Sequence, residues 1–169
     1  PFLHLNDAGL YEMYVEGDPY VRGVVAGRLS SPLIAYQEQV FMDRIAELVP
    51  SNGYQRLLRL MIALFNRTMD QQIPEEFLLE ILGLSQQAPE EYNYVGPAYD
   101  RMLQYHGAHD IGHMLQNYSL VGCSSFAVWD EKSEDSTLLV GRNFDFYVND
   151  AFAENKIIEF VKPTSGYGF

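Results

Sequence analysis

Gly122-Cys123-Ser124-Ser125-Phe126 is the stretch from which the organisation of this chain is best understood. It begins the first segment that has the pattern of a core strand, and Cys123 is the only cysteine in the chain. Arg142 and Asp145 follow in the next strand-like segment, where a hairpin brings them near the thiol. A lone thiol beside small residues and an arginine–aspartate pair is typical of a nucleophile site. The alternative is a buried structural cysteine, which packs as a small hydrophobe.

The last third of the chain has the sequence pattern of a β-meander. Strands are predicted at about 123–129, 137–145 and 156–161, and the polar segment 130–136 is predicted to form the tip of the first hairpin. A short meander leaves one sheet face uncovered unless helices pack there. We therefore expect the protein to continue beyond residue 169.

The position of the hairpin tip determines how Cys123 and Arg142 face each other. A tip between Lys132 and Ser133 sets the two residues directly opposite, and a shift of one residue makes them diagonal neighbours about 7–8 Å apart at most. In either register the guanidinium lies within reach of the sulfur and favours the thiolate. The alternative is an exposed edge-strand arginine paired with Asp145, an interaction that contributes little to stability.

The first two-thirds of the chain are predicted to be mostly helical, after one strand at about 10–16 that ends in the turn Gly17-Asp18-Pro19. Gly23 and Gly27 share one face if this segment is a helix, which predicts close approach of a neighbouring element; a loop is the alternative. Further helices are predicted at 31–48, opened by Ser31-Pro32, at 54–69, at 74–83, ended by Gly83, and at 97–116.

The composition limits the classes of partner. With 11 Lys+Arg against 23 Asp+Glu, the net charge of -12 argues against a nucleic-acid backbone or an anionic membrane surface. The longest apolar patch, around Leu60 to Phe65, is too short to cross a bilayer, so no transmembrane segment is predicted. The chain opens on Pro1 rather than methionine, which indicates that an N-terminal segment was removed, either as a signal peptide or by the choice of cloned segment. The location is therefore open, with a secreted or periplasmic one slightly favoured over the cytoplasm.

The sequence gives less support for a metal site, for catalytic carboxylates or for a phosphate-binding or serine-hydrolase motif. His106, His109 and His113 share a face of the predicted fourth helix, so a zinc site is conceivable, but no fourth ligand joins them and imidazole packing is preferred. We therefore predict no metal and no cofactor. The acidic pairs Glu75-Glu76 and Glu90-Glu91 are interpreted as a helix start and a solvated loop. Neither a phosphate-binding glycine motif nor Gly-x-Ser-x-Gly is present in the sequence.

Three ordered motifs resemble a known enzyme family. The stretch 17–29 (GDPYVRGVVAGRL) is similar to a Gly-x-Pro-Tyr-x-x-Gly-x-x-x-Gly-x-Leu stretch, and 118–127 (YSLVGCSSFA) resembles a processing site. The stretch 141–145 (GRNFD) resembles a motif shared with choloylglycine hydrolases and penicillin V acylases, and 105–110 (YHGAHD) is more weakly similar to bacterial members. Together these motifs resemble the acyl-coenzyme A:6-aminopenicillanate (isopenicillin N) acyltransferase family of N-terminal-nucleophile hydrolases.

The resemblance implies an α+β protein with a four-layer αββα sandwich, made as an inactive precursor. Cys123 would attack the carbonyl of Gly122, and hydrolysis of the resulting thioester would free Cys123 as a new N-terminus. The α-amine would then act as the base for the thiol. Carried over motif to motif, Arg142 would support the thiolate, Asp145 would orient the amine, and Asn143 would shape the pocket.

The resemblance also implies how the chain is divided and what it acts on. Residues 1–122 would be a helical pro-segment, and 123–169 would be the start of the catalytic subunit. The enzyme would cleave or transfer the acyl group of a linear amide or thioester through acyl-Cys123. It would need the remainder of the catalytic domain, with a homo-oligomer possible. The alternative is a non-catalytic helical binding or regulatory module whose strands complete a partner's sheet.

Overall fold

A computed structural model of the chain describes residues 1–65, 67–107, 121–146 and 149–165, which form a mixed α+β structure. Contacts divide the chain into two compact units, one made of 1–106 with 149–169 and the other of 107–148. The strands are β1 (Phe2–Leu5), β2 (Tyr11–Gly17), β3 (Val121–Asp130), β4 (Ser136–Phe146) and β5 (Ile157–Pro163); the helices are α1 (Pro19–Leu48), α2 (Asn52–Phe65), α3 (Glu75–Ser85) and α4 (Ala98–His106).

The first unit contains a three-stranded sheet in the order β1-β2-β5. β1, which the sequence analysis did not predict, is antiparallel to β2, whereas β5 runs parallel to it. The inward side chains Met13, Val15 and Val161 form a buried cluster with Ala26 of α1. Burial of these alternate positions fixes the register, since a slip by one residue would turn them outward.

The parallel pairing of β5 with β2 corrects the predicted meander. β3 and β4 form a hairpin in the second unit, but β5 does not extend that hairpin. The physical reason is the apolar pattern of β5, whose Val161 completes the layer around Val15. The compact units therefore do not divide at Gly122, although the proposed cleavage there is a separate property and stays a prediction.

α1 is a single helix of 30 residues that contains Pro32, so the predicted helix start at Ser31-Pro32 is wrong. A proline inside a helix removes one backbone hydrogen bond and costs about 3 kcal/mol in isolation. Packing on both sides of this point holds α1 together. On the N-terminal side Ala26 and the hydroxyl of Ser30, which donates to the Ala26 carbonyl at 2.7 Å, are buried. On the C-terminal side Val40 is buried.

α1 and α3 approach each other closely through glycines. A Cβ added at Gly23 would lie 2.8 Å from the carbonyl carbon of Glu80, and one at Gly27 would lie 3.0 Å from the carbonyl oxygen of Leu84. The predicted close approach is thus confirmed. Gly83 does not end α3 as predicted, because the helix continues to Ser85. A Cβ at Gly83 would lie 2.6 Å from the backbone nitrogen of Val24, which explains a glycine inside the helix.

The remaining helices follow the predicted pattern with shifted ends. α3 begins at Glu75, as the acidic pair Glu75-Glu76 indicated, and α2 begins and ends a few residues earlier than predicted. α4 ends at His106, and Gly107 is a turn residue, so the predicted helix does not continue at Gly107. The part predicted at 108–116 lies outside the described residues. Met102 and Leu103 of α4 form the second buried cluster with Ile81 of α3.

Candidate nucleophile site

Cys123 is the third residue of β3 and is exposed. Its neighbours Ser124 and Ser125 are exposed as well. The alternative of a buried structural cysteine therefore does not describe this hairpin. Reactive cysteines require access to a substrate or reagent, so exposure is a condition that the nucleophile hypothesis needs.

The register of the hairpin places Cys123 diagonally from Arg142. The backbone of Cys123 pairs with Phe144, and that of Ser125 pairs with Arg142. Of the two predicted registers, the diagonal one is confirmed. Directly opposite residues of an antiparallel pair share a face, so Cys123, Ser125 and Arg142 lie on one face of the hairpin. Arg142 is exposed, and its long side chain spans a diagonal separation of about 7–8 Å.

The other two residues of the candidate site are placed differently. Asn143 pairs with Ser124 and therefore lies on the face opposite to Cys123, where it is exposed. Asp145 pairs through its backbone with Gly122, which precedes the candidate nucleophile. The side chain of Asp145 lies outside the described part of the structure, so its predicted role in orienting an amine stays a prediction.

Gly141, the first residue of the 141–145 motif, has a local structural role. It pairs with Phe126, and a Cβ added at Gly141 would lie 2.5 Å from the Cζ atom of the Phe126 ring. The aromatic ring thus lies over the glycine of the facing strand, an arrangement that stabilises glycine in sheets. This contact fixes the register at the pair next to Ser125 and Arg142, and with it the diagonal placement of Arg142 relative to Cys123.

The hairpin exposes apolar side chains on both faces. Val140 is on the Cys123 face, since it pairs with Ala127, whereas Phe126 and Leu139 are on the other face. These three side chains are 68%, 63% and 52% exposed, respectively. An isolated two-stranded hairpin is marginally stable in water, and apolar side chains of this kind are usually buried by further strands or helices.

The tip of the hairpin is acidic and lies away from the thiol. Asp130, Glu131, Glu134 and Asp135 are close in sequence, with Lys132 among them. Hydrogen bonds from the hydroxyl and backbone N–H of Thr137 lower the pKa of Asp135. A shallow depression of about 680 Å³ lies at this end, and its lining does not include Cys123. The hydrogen bonds of Asp135 stabilise the turn at the tip, and we assign no catalytic or binding role to the tip residues.

Only one of the three histidines of the conceivable zinc site lies within the described residues. His106 ends α4, and its Nδ1 lies 2.7 Å from the carbonyl oxygen of Met102, so that nitrogen carries the proton and donates. His109 and His113 lie outside the described residues. Within the described ranges, no group of three or more metal-ligating side chains is found. Glu90-Glu91 lies in an exposed single turn of 3-10 helix, as the loop interpretation expected.

The motif at 17–29 is explained by packing. Gly17 has a φ of 113°, which glycine adopts readily, and Pro19 is the first residue of α1. Arg22 is 2% exposed and donates to the carbonyl oxygen of Gly17 at 2.9 Å and to Glu80 of α3 at 2.8 Å. Gly23 follows at the close approach to α3. The residue pattern therefore supports the junction of β2, α1 and α3 instead of supplying a reactive group.

A second buried arginine was missed entirely by the sequence analysis. Arg101 and Glu38 are each 1% exposed as side chains, and their shortest contact is 2.7 Å. The other Arg101 nitrogens donate to Asn93 and to the carbonyl oxygens of Pro89 and Gly96. The Tyr105 hydroxyl donates to Glu38, and burial, followed by the charge of Glu38, raises the pKa of Tyr105. No local pattern in the sequence marks a pair that is 63 residues apart in the chain.

Comparisons with known proteins add no family to these observations. No protein-family model, no curated protein and no solved structure matches the chain. The three motifs and the geometry of the hairpin are therefore the basis for any functional proposal.

Proposed function

We propose that this chain carries the nucleophile of an autoprocessing cysteine hydrolase or acyltransferase that acts on linear amides or thioesters. The observation that carries the proposal is the exposed Cys123, directly after Gly122 and on the same hairpin face as Arg142. The resemblance of the three motifs to N-terminal-nucleophile hydrolases supplies the reaction type. The α+β content of the chain is compatible with that fold class.

The first reaction of such a protein would be its own cleavage. The Cys123 sulfur attacks the carbonyl carbon of Gly122, the C–N bond breaks, and the amine of Cys123 takes up a proton as the thioester forms. Water then hydrolyses the thioester, which leaves the Gly122 carboxylate and a free thiol. Glycine before the scissile bond allows unhindered approach of the sulfur and unusual backbone angles.

The second reaction would be turnover of an external substrate. The freed α-amine, with an ordinary pKa of about 8, accepts the thiol proton near neutral pH. The sulfur attacks the acyl carbon of the substrate, the leaving amine or thiol takes the proton, and water or an acceptor amine resolves the acyl-Cys123 intermediate. In this scheme Arg142 stabilises the thiolate and Asp145 orients the amine.

Intact-mass measurement of the purified full-length protein tests this proposal. We expect a fragment that begins at Cys123 in the wild type and none in Cys123→Ala. Ser124→Ala is the matched control, because it also removes one small polar group from β3 and should leave cleavage intact. A wild-type protein that stays uncleaved and yet turns over amide substrates would contradict the autoprocessing step.

A non-catalytic module is the second candidate, favoured by the apolar side chains that the hairpin exposes on both faces. In the described part of the chain, β3 and β4 pair only with each other, so their outer edges are open to a further strand. Under this alternative the wild type and Cys123→Ala would behave identically in every assay. Loss of cleavage or turnover in Cys123→Ala alone would therefore exclude it.

A further inference from the structure

α2 presents its apolar side to solvent. Leu57, Leu60, Met61 and Leu64 follow the i, i+3, i+4, i+7 spacing of one helix face, and they are between 46% and 67% exposed. We call these four residues the α2 stripe. Within the described residues, no helix or strand packs extensively against α2. An amphipathic helix normally turns such a stripe toward the protein core.

The side of α2 opposite to the stripe contacts the rest of the chain at individual residues. Gln55, Arg59 and Ile62 are spaced i, i+4, i+7, lie across the helix from the stripe and are only partly exposed. The Arg59 guanidinium lies 5.5 Å from the centroid of the Tyr94 ring, within the range of a cation–π contact. Arg59 therefore contacts Tyr94 on the side opposite to the stripe, and the apolar stripe faces outward.

The charge around the stripe is opposite in sign to that of the whole chain. Between Glu47 and Asp70 the sequence has no acidic residue but has three arginines, Arg56, Arg59 and Arg67. This segment carries +3 in a chain whose net charge is -12. Arg56 and Arg67 are exposed. Charges farther away than about 10 Å are largely screened at physiological salt, so a surface that meets α2 responds most strongly to the charges near the helix.

We propose that α2 binds the surface of an anionic lipid bilayer, with the α2 stripe inserted at the boundary between headgroups and acyl chains. Amphipathic helices with a leucine-rich face and neighbouring basic residues bind in this way, and Arg56 is the arginine that lies beside the stripe. Tyr54 and Tyr94, 69% and 67% exposed, are the residue type that favours the headgroup level. Among the residues that the structure describes, no helix is both long and apolar enough to cross a membrane.

The geometry favours a bilayer over two other occupants. A protein groove that enclosed the helix would have to displace Arg59 from Tyr94, whereas a flat surface reaches the stripe without moving that flank. Pairing with the α2 of a second copy would bring two segments of charge +3 together, which is repulsive. The proposal revises the expectation that the net charge of the chain argues against an anionic membrane surface as a partner.

Vesicle sedimentation of the full-length protein tests this assignment. We use vesicles of phosphatidylcholine with roughly one-third phosphatidylserine, and vesicles of phosphatidylcholine alone. The wild type should sediment with the anionic vesicles. The double variant Leu60→Gln/Leu64→Gln should partition more than about tenfold more weakly, and Arg56→Gln should bind the anionic vesicles about fivefold more weakly. Glutamine is a good helix former, so neither variant should change the helical circular dichroism.

Matched controls come from the hairpin. Leu138→Gln removes a leucine that is 63% exposed, and Lys132→Gln removes one exposed positive charge. Both should bind vesicles as the wild type does. Absence of sedimentation in the wild type would overturn the proposal, and so would equal losses in the α2 and hairpin variants. A wild-type dimer that Leu60→Gln/Leu64→Gln converts to a monomer, without vesicle binding, would identify the stripe as a self-association face instead.

Discussion

Gly23→Ala should separate α1 from α3, because an added methyl group has no room between the two helices. The new Cβ would lie 2.8 Å from the carbonyl carbon of Glu80 and 3.0 Å from its Cα, with the carbonyl oxygen nearer still. All three atoms belong to the backbone, so no side-chain rotation relieves the clash. At Gly83 the same substitution meets the backbone nitrogen of Val24 at 2.6 Å.

The expected loss of stability at Gly23 follows from two opposing effects. Overpacking costs about 1–3 kcal/mol, and a clash with rigid backbone belongs at the upper end of that range. Alanine gains about 1 kcal/mol over glycine through its higher helix propensity. The net free energy of unfolding should therefore fall by about 2 kcal/mol, which lowers Tm by roughly 4–8 °C for a chain of this size.

Urea denaturation followed by far-ultraviolet circular dichroism measures this change. Gly53→Ala in α2 is the matched control, since its added Cβ would lie 3.8 Å from the nearest atom, the Ser51 hydroxyl oxygen. That variant should be as stable as the wild type or more stable, by up to about 1 kcal/mol. The double variant Gly23→Ala/Gly83→Ala should lose less than the sum of the single losses, because both methyl groups separate the same helices.

A Gly23→Ala protein as stable as Gly53→Ala would refute the reasoning. Such a result would mean that α1 and α3 do not approach through these glycines. It would also remove the structural explanation for the 17–29 motif, of which Gly23 and Gly27 are part.

Three further predictions follow from other contacts. Arg101→Met should lower the free energy of unfolding by about 3–5 kcal/mol, because it leaves Glu38 buried without its cation, whereas Arg44→Met at the more exposed Arg44–Glu47 pair should cost at most about 1 kcal/mol. Equal losses in urea denaturation would contradict this. Loss of hydration, then the charge of Glu80, raises the pKa of Glu159, although this side chain stays exposed at the surface. The folded state therefore binds the proton of the Glu159 carboxyl more tightly than the unfolded state does. The stabilisation that this proton gives is fully present below the ordinary glutamate pKa and is lost as the pH rises through the pKa of the folded state. Glu159→Gln should match the wild type near pH ~4 and exceed it at neutral pH in thermal melts. A lower neutral-pH Tm would contradict the sign. Arg142→Ala should slow alkylation of Cys123 by iodoacetamide and shift its rate profile to higher pH, with Lys132→Ala as the control of equal charge change. An unchanged profile would remove Arg142 from the site.

Much of the candidate site could be predicted from the sequence, because its geometry depends on local rules. The polar segment 130–136 between two strand-like runs predicted the hairpin, and alternation of faces limited Cys123 and Arg142 to two relations. Only the structure chose the diagonal relation, through the pairing of Phe126 with Gly141 and the irregularity between Val128 and Asp130. Exposure of the thiol also depends on what packs nearby, which no short stretch encodes.

The sequence by itself determined the elements whose causes are local. β2 follows from alternation and a turn at Gly17, and α3 begins where proline and two acidic residues favour a helix N-terminus. Gly23 and Gly27 predicted a close contact because residues four apart share a helix face. In each case the residues that determine the feature lie within a few positions of one another, so the sequence alone is enough to predict it.

The tertiary structure decided what depends on distant residues. α1 continues through Pro32 because burial on both sides outweighs the local cost of proline. Gly83 lies inside α3 because α1 passes too close for a Cβ, although in isolation glycine favours the end of a helix. β5 pairs with β2, from the opposite end of the chain, because their apolar faces complete one core. Burial and close packing act across space, and their free energies exceed the propensities that a local pattern can reveal.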